Sequence, residues 1–149
     1  MSTVELSFSA LPVHVRTARL IVTAVARRSG VAEPLLDEVR LAVAEACSRA
    51  VEAHRRHCPD EPVRLELRGE KGRFEVIVSD TVPGDLPPEG LPAAAADEGA
   101  DEFEYGLGEG IAELGLAVIA GLADDVEIAN TPKGVQIRMS WPAEAEATI

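Results

Sequence analysis

Aromatic side chains, cysteines, long apolar runs and positive charge are all scarce in this sequence. Aromatic residues make up 3% of the 149 residues and hydrophobic residues 46%, so aliphatic side chains must fill the core of a single domain. The two cysteines, Cys47 and Cys58, fit neither a metal-ligand spacing nor a disulfide framework, and we expect two reduced thiols. No apolar run is long enough to cross a bilayer, and the opening residues suit an edge strand better than a signal peptide. We therefore expect a cytoplasmic protein.

The charge balance is strongly acidic. Asp and Glu number 26 against 14 Lys and Arg, which gives a formal net charge of −12. Such a field repels nucleic-acid phosphates and anionic lipids, so direct nucleic-acid or membrane binding is disfavoured and protein partners are favoured. Between Arg73 and Lys133 there is no Lys or Arg at all.

Hydrophobic periodicity predicts an order of strand, helix, helix, two strands, long loop, helix and two strands. The predicted strands cover 4–9, 63–68, 74–79, 126–130 and 135–141, and the predicted helices cover 12–28, 34–57 and 108–122. Residues 81–105 contain four prolines and no periodicity, so they are expected to form a lid loop. We expect one domain over 1–142 and a frayed tail over 143–149.

This order predicts an α/β two-layer sandwich of the α+β class, a mostly antiparallel mixed sheet with helices on one face. In the first helix six residues recur at helical spacing: Val13, Thr17, Leu20, Ile21, Ala24 and Val25. Another face of this helix carries Arg16, Arg19, Thr23 and Arg27. The second helix has a stripe expected to be buried, formed by Leu36, Val39, Val43, Ala46, Cys47 and Ala50. Its last turn, His54 to His57, supplies mostly basic residues that complement the helix dipole.

Four stretches, in order, resemble motifs of the anti-sigma-factor serine kinases, a GHKL branch with the Bergerat, histidine-kinase-like ATPase fold. They are LSFSAL with the following Arg-bearing helix, LDEVRLAVAEACSRAV, VSDTVPG, and GLAVIAGLADDVEI followed by KGVQIRMSW. The second resembles the E-x-x-x-N helix and the third the D-x-G-x-G box. The resemblance covers residues 4 to 141.

The resemblance implies a Mg-nucleotide ligand and transfer of the γ-phosphate to a serine of an anti-anti-sigma protein. Glu45 occupies the position of the general base, and Arg49 the position of the magnesium-ligating Asn. Arg has hydrogen-bond donors only and cannot ligate magnesium, so no metal site is expected. Arg49 either pairs with Glu45 one turn away or holds a phosphate directly.

The nucleotide-binding boxes are incomplete. Asp80 stands where the family's Asp contacts the adenine amino group, although it could equally cap a loop. Val82 replaces the first glycine of that box and Gly84 keeps the second. In the last box Gly115 takes the second glycine position, while Gly106, Gly108 and Gly110 form either a phosphate loop in a shifted register or hinges. ATP is therefore a candidate ligand, which the acidic segment before Gly115 disfavours.

Two hypotheses of function follow. The first is an anti-sigma factor that sequesters an alternative sigma factor and is released by an anti-anti-sigma (STAS) protein. The resemblance then implies that Arg19 falls on a partner-binding position, and Arg16 and Arg27 extend the same face; alternatively that face is simply solvated. The second is an active ATP-dependent serine kinase with Glu45 as the base. The resemblance also implies a homodimer, and whether the chain is an enzyme stays open.

Overall fold

The computed structural model describes residues 2–70, 72–83 and 117–143. Two helices and five strands are defined: β1 Ser2–Phe8, α1 Pro12–Arg28, α2 Glu33–His57, β2 Val63–Glu70, β3 Arg73–Ser79, β4 Asp125–Thr131 and β5 Gly134–Pro142. Residues 117–122 are also helical. Most of the predicted lid loop, the first part of the predicted third helix and the predicted tail beyond residue 143 lie outside the described residues.

The five strands form one sheet in the order β1-β2-β3-β5-β4. Every pairing in the sheet is antiparallel, with β2 joined to β3, and β4 to β5, as the two predicted hairpins. β1 lies at one edge, as its sequence pattern predicted. The α+β class predicted from the sequence is confirmed.

The core lies between α2 and the inner face of the sheet. Alternate residues of β2, β3 and β5 are buried there, including Leu65, Phe74 and Trp141. The predicted stripe of α2 is wholly buried, from Leu36 to Ala50. With so few aromatic residues, aliphatic side chains supply most of this cluster, as expected. None of the helices that the structure describes is both long and apolar enough to cross a membrane.

Glycine ends α1 and turns the chain into α2. Gly30 has a φ of 94°, a left-handed conformation that costs glycine little. The Gly30 amide donates to the Arg27 carbonyl at 3.2 Å and the Val31 amide to the Ala26 carbonyl at 3.1 Å, which is the hydrogen-bond pattern of a Schellman motif. Val31 is buried and α2 begins at Glu33, so the two helices form a tight antiparallel pair.

The side of α1 that packs against α2 is not the side that carries its larger apolar residues, although helical spacing of those residues indicates a buried face. The buried residues of α1 are Ala18, Val22, Thr23 and Ala26. Five of the six residues at helical spacing are instead exposed: Val13, Thr17, Leu20, Ile21 and Ala24. Val13 is 66% exposed and Leu20 54% exposed. Small side chains allow α1 to lie close to α2, and the larger apolar side chains therefore face outward.

The segment before β4 is fastened to the sheet by three side chains. The Trp141 indole Nε1 donates to the Leu122 carbonyl at 3.0 Å. Arg73 donates to the Asp124 carboxylate at 2.8 Å and to the Ser140 hydroxyl at 2.7 Å. These contacts hold the end of the 117–122 helix over the β3–β5 side of the core.

Candidate functional site

Glu45 and Arg49 lie one turn apart on α2, outside its buried stripe, and both side chains are half-buried. Within the described part of the chain neither side chain makes a hydrogen bond or an ion pair; the ion pairs within α2 are Arg40 with Asp37 and Arg56 with Glu52, and Glu33 at its start pairs with Arg27 of α1. The ion pair between Glu45 and Arg49, one of the two alternatives for Arg49, is therefore not formed in this structure. Spacing at i,i+4 allows two side chains to meet, but the small free energy of an exposed pair does not require it.

Arg49 does not fit a magnesium ion. A guanidinium offers five N–H donors, no lone pair and a fixed positive charge, whereas magnesium requires oxygen ligands. Across residues 2–70, 72–83 and 117–143, no group of three or more His, Cys, Asp or Glu side chains could hold a metal ion. Arg49 itself could neutralise a phosphate directly, because its guanidinium has no competing acidic partner among the described residues.

Asp80 joins the end of β3 to the start of β5 through hydrogen bonds. Its amide donates to the Val135 carbonyl at 3.0 Å, and its Oδ1 accepts from the Val135 amide at 3.2 Å. The same Oδ1 accepts from the Val82 amide at 2.9 Å, which makes a short side-chain turn after the strand. Asp80 therefore caps a loop, as one of the two sequence hypotheses held. Its other oxygen, Oδ2, has no hydrogen-bond donor within the described residues, so it could still accept from a purine amino group.

Gly134 allows this close approach of the two strands. Its φ is 145°, and a Cβ placed on it would lie 2.0 Å from the Asp80 carbonyl oxygen. No side chain fits at that distance, so the backbone of β5 can reach Asp80 only through glycine. The geometry around Asp80 thus depends on Gly134 as well as on the Asp80 carboxylate.

Val82 is buried, with 8% of its surface exposed, at the position where the resembled box has its first glycine. The other predicted nucleotide-binding glycines, Gly84, Gly108, Gly110 and Gly115, lie outside the described residues. Of the candidate nucleotide site, the structure therefore describes the α2 face with Glu45 and Arg49, and the Asp80 turn.

The three arginines predicted to bind a partner all lie on α1, but their surroundings differ. Arg16 and Arg27 are exposed, and Arg27 Nε lies 3.2 Å from a carboxylate oxygen of Glu33. Arg19 is half-buried, and within the described residues its Nε is buried without a hydrogen-bond partner. A buried donor without a partner is unfavourable, so the Arg19 side chain is held in this position at a cost in free energy.

Cys47 and Cys58 are both free thiols, as predicted, and they differ in environment. Cys47 is completely buried in the α2 stripe, and burial raises the pKa of its thiol from 9.0 to about 12. Desolvation disfavours the thiolate, which is the reactive form. Cys47 is therefore a core residue and not a nucleophile.

We expect one thiol of the native chain to react with a disulfide reagent at pH 8, and the second to react only after denaturation. Cys58 is partly exposed, whereas Cys47 is buried and protonated at that pH. Thiol titration of the wild type and of Cys58→Ser measures this, and the variant should give no reaction before unfolding. Rapid reaction of two thiols in the native wild type would contradict the assignment of Cys47 to the core.

His54 is a residue whose role the sequence analysis missed. Its place among the basic residues at the end of α2 predicts a terminal solvated residue, but it is fully buried and bonded through both ring nitrogens. The sequence does contain a signal, because His54 continues the buried stripe at helical spacing after Val43, Cys47 and Ala50.

Comparison with known proteins agrees with this fold. The chain is 29% identical over 140 residues to the serine-protein kinase RsbW of Bacillus subtilis, covering 92% of this chain and 83% of RsbW. A crystal structure of the RsbU and RsbW domains of Rv1364c from Mycobacterium tuberculosis superposes with a TM-score of 0.65 at 13% identity. That match covers all of this chain and 35% of the other, and it supports the fold alone. Residues 8–141 match the family described as "Histidine kinase-like ATPase domain". With that match over nearly its whole length, the chain belongs to the histidine kinase-like ATPase domain family.

Proposed function

We propose that this protein is an anti-sigma factor, which sequesters an alternative sigma factor and releases it when an anti-anti-sigma (STAS) protein competes. The resemblance of its motifs to the anti-sigma-factor serine kinases and its similarity to RsbW support this proposal. The proposal further holds that the protein acts in the cytoplasm as a homodimer, as that resemblance implies. Its partners are then proteins rather than nucleic acid or membrane, in keeping with the net charge of −12.

The observation that carries the proposal is the outer face of α1, which we call the α1 surface: Val13, Arg16, Arg19, Leu20 and Arg27. Val13 and Leu20 are more than half exposed at its centre, although large apolar residues normally turn inward. Arginines border them, and Arg19 retains an unpartnered buried donor within the described residues. An apolar centre beside arginines is the composition of a protein interface.

The nucleotide site in this proposal is degenerate. The family suggests ATP as the ligand. If ATP binds, Asp80 Oδ2 would accept from the purine amino group and Arg49 would face the phosphates, without a magnesium ion. Glu45 lies on the same face of α2 and would be the base if any transfer occurred. The carboxylates of the acidic segment, among them Asp97, Glu98 and Glu109, oppose a polyphosphate.

We expect titration calorimetry with ATP to give the same weak heat, or none, with and without magnesium. Arg49 supplies a positive charge where an oxygen ligand is needed, so added magnesium gains no protein ligand there. The matched variant Arg49→Asn restores an amide oxygen and should acquire a magnesium-dependent component. Tight, magnesium-dependent binding by the wild type would contradict the degenerate site and favour an active kinase.

Sequestration itself is tested by co-expression. The sigma factors of the source genome are produced one at a time with the tagged chain, and each mixture is analysed by affinity capture and size-exclusion chromatography. The proposal predicts a stable complex with an alternative sigma factor, from which a purified STAS protein displaces the sigma factor. If none of the sigma factors co-elutes with the chain, the proposed function is wrong.

A further inference from the structure

His54 forms a buried link between three segments of the chain. Its side chain is 0% exposed in the last turn of α2. Its Nδ1 lies 2.8 Å from the Glu61 carbonyl oxygen, in the connection to β2. Its Nε2 lies 3.0 Å from the Thr81 amide nitrogen, in the segment after β3. One ring thus contacts the helix end, the following connection and the residue next to Asp80.

The chemistry of these contacts determines the protonation of the ring. The Thr81 amide can only donate, so Nε2 must be the acceptor and carry no proton. The Glu61 carbonyl can only accept, so Nδ1 must carry the proton. Both nitrogens are then satisfied by the neutral Nδ1–H tautomer, and by no other form of the ring.

Thr81 is held by side chains as well. Its Oγ1 donates to Glu61 Oε1 at 3.3 Å and lies 3.5 Å from Cys58 Sγ. The residue is therefore fixed to the end of α2 and to the connection after it through both its amide and its hydroxyl. Thr81 is exposed overall, so apolar packing alone does not hold it in this position.

The two residues on either side of Thr81 connect this link to the candidate nucleotide site. Asp80 precedes Thr81, and the Val82 amide donates to Asp80 Oδ1. On the other side of the link, Arg49 and Glu45 lie on α2, five and nine residues before His54. We propose that His54 is a positioning residue, which fixes the 80–82 segment, and with it Asp80, against the end of α2, the helix that also carries Arg49 and Glu45.

This inference rests on the proposed nucleotide site, but its mechanical part can be tested without a nucleotide. An apolar side chain in place of His54 would fill the space and leave the part-buried Thr81 amide without its acceptor, which weakens the hold on this segment. A glutamine carries an oxygen and an N–H on one planar group, and it could replace both contacts. His54→Phe and His54→Gln therefore separate hydrogen bonding from space filling.

The experiment is amide hydrogen exchange measured by NMR on the wild type, the two variants and the control His57→Gln. His57 is exposed in the same helical turn, so its replacement leaves the link intact. His54→Phe should raise the exchange rates of Thr81 and Val82 at least about tenfold, because an amide without its acceptor opens more readily. The β1–β2 amides should be unchanged, and His54→Gln should restore most of the protection.

Unchanged protection of Thr81 and Val82 in His54→Phe would overturn the proposal. An equal loss of amide protection in the Phe and Gln variants would also overturn it, because the ring would then act by its shape alone. If His54→Phe does not fold, the ring ¹⁵N shifts of the wild type decide: a proton on Nε2 contradicts the link, and a proton on Nδ1 with Gln rescue supports it.

Titration with ATP on the same samples tests the connection to the site. The amide signals near Asp80 and Arg49 should shift in the wild type. His54→Phe should require about tenfold higher ATP concentrations to reach the same shifts. Equal ATP affinity in the two would overturn the positioning role. Absence of any shift in the wild type would remove the nucleotide from the proposed function and from this inference, while the exchange data still decide whether His54 holds the segment.

Discussion

Gly134→Ala should lower the free energy of unfolding by at least about 3 kcal/mol, since a forced steric overlap in a packed region is among the most damaging single substitutions. The new Cβ would lie 2.0 Å from the Asp80 carbonyl oxygen and within 3.0 Å of the Thr81 Cα. Both contacts are with backbone, so no side-chain rotation relieves them. The φ of 145° adds strain for any residue other than glycine.

The chain offers a matched control for this substitution. A Cβ added to Gly121, in the 117–122 helix, would meet no atom within 4 Å. Gly121→Ala should therefore be neutral or stabilise the protein by up to about 1 kcal/mol, as alanine does in helices. Urea unfolding followed by circular dichroism compares the two variants. Equal stability of Gly134→Ala and the wild type would mean that β5 does not approach Asp80 as described.

Leu20→Asp and Arg19→Glu should each weaken binding to the captured sigma factor by at least about 30-fold, the loss expected at an interface hot spot. Leu20 is 54% exposed at the centre of the α1 surface, and a carboxylate there would be desolvated on binding. Reversing the charge of Arg19 would replace an arginine of the α1 surface by a carboxylate and oppose the same partner groups. Isothermal titration of the purified pair measures both effects.

Two substitutions away from the α1 surface act as controls. Leu41→Asp changes a leucine that is 55% exposed on α2, and Arg64→Glu reverses the charge of an exposed arginine on β2. Both should change the sigma affinity by less than about threefold, since peripheral substitutions contribute little to binding. Unchanged binding by Leu20→Asp and Arg19→Glu, with these controls also unchanged, would exclude α1 from the interface.

The sheet and α2 could be predicted from the sequence because only one orientation of each element buries its apolar residues. Alternation in β2 and β3 leaves only one face apolar enough to be buried. The stripe from Leu36 to Ala50 is likewise the only continuous apolar side of α2. The order of these elements then determined the fold class, since two short hairpins separated by a loop and a helix favour an antiparallel sheet.

The orientation of α1 could not be predicted in this way. The helix has two apolar sides. One carries the smaller side chains of Ala18, Val22 and Ala26, and the other carries the larger side chains of Val13 and Leu20. Side-chain size favours burial of the second, whereas close approach to α2 favours the first. Local rules fail most often at functional surfaces, and a surface reserved for a partner violates the expectation that large apolar residues are buried.

The candidate site was only partly predictable, for two reasons. The bond from the Val135 amide to Asp80 joins residues 55 positions apart, so no local pattern announces it. His54 appeared as a terminal basic residue because its neighbours in sequence are Arg55 and Arg56. Its buried partners, Glu61 and Thr81, become visible only when the end of α2 and the end of β3 are brought together.

Sigma-dependent transcription in vitro tests the central claim most directly. Core RNA polymerase, the captured sigma factor and a promoter template are mixed with increasing amounts of the wild-type chain or of Leu20→Asp. Sequestration predicts that the wild type inhibits transcription in proportion to the sigma factor bound, that Leu20→Asp inhibits far less, and that a STAS partner restores the signal without ATP. Full transcription at a large excess of the wild-type chain would contradict the account.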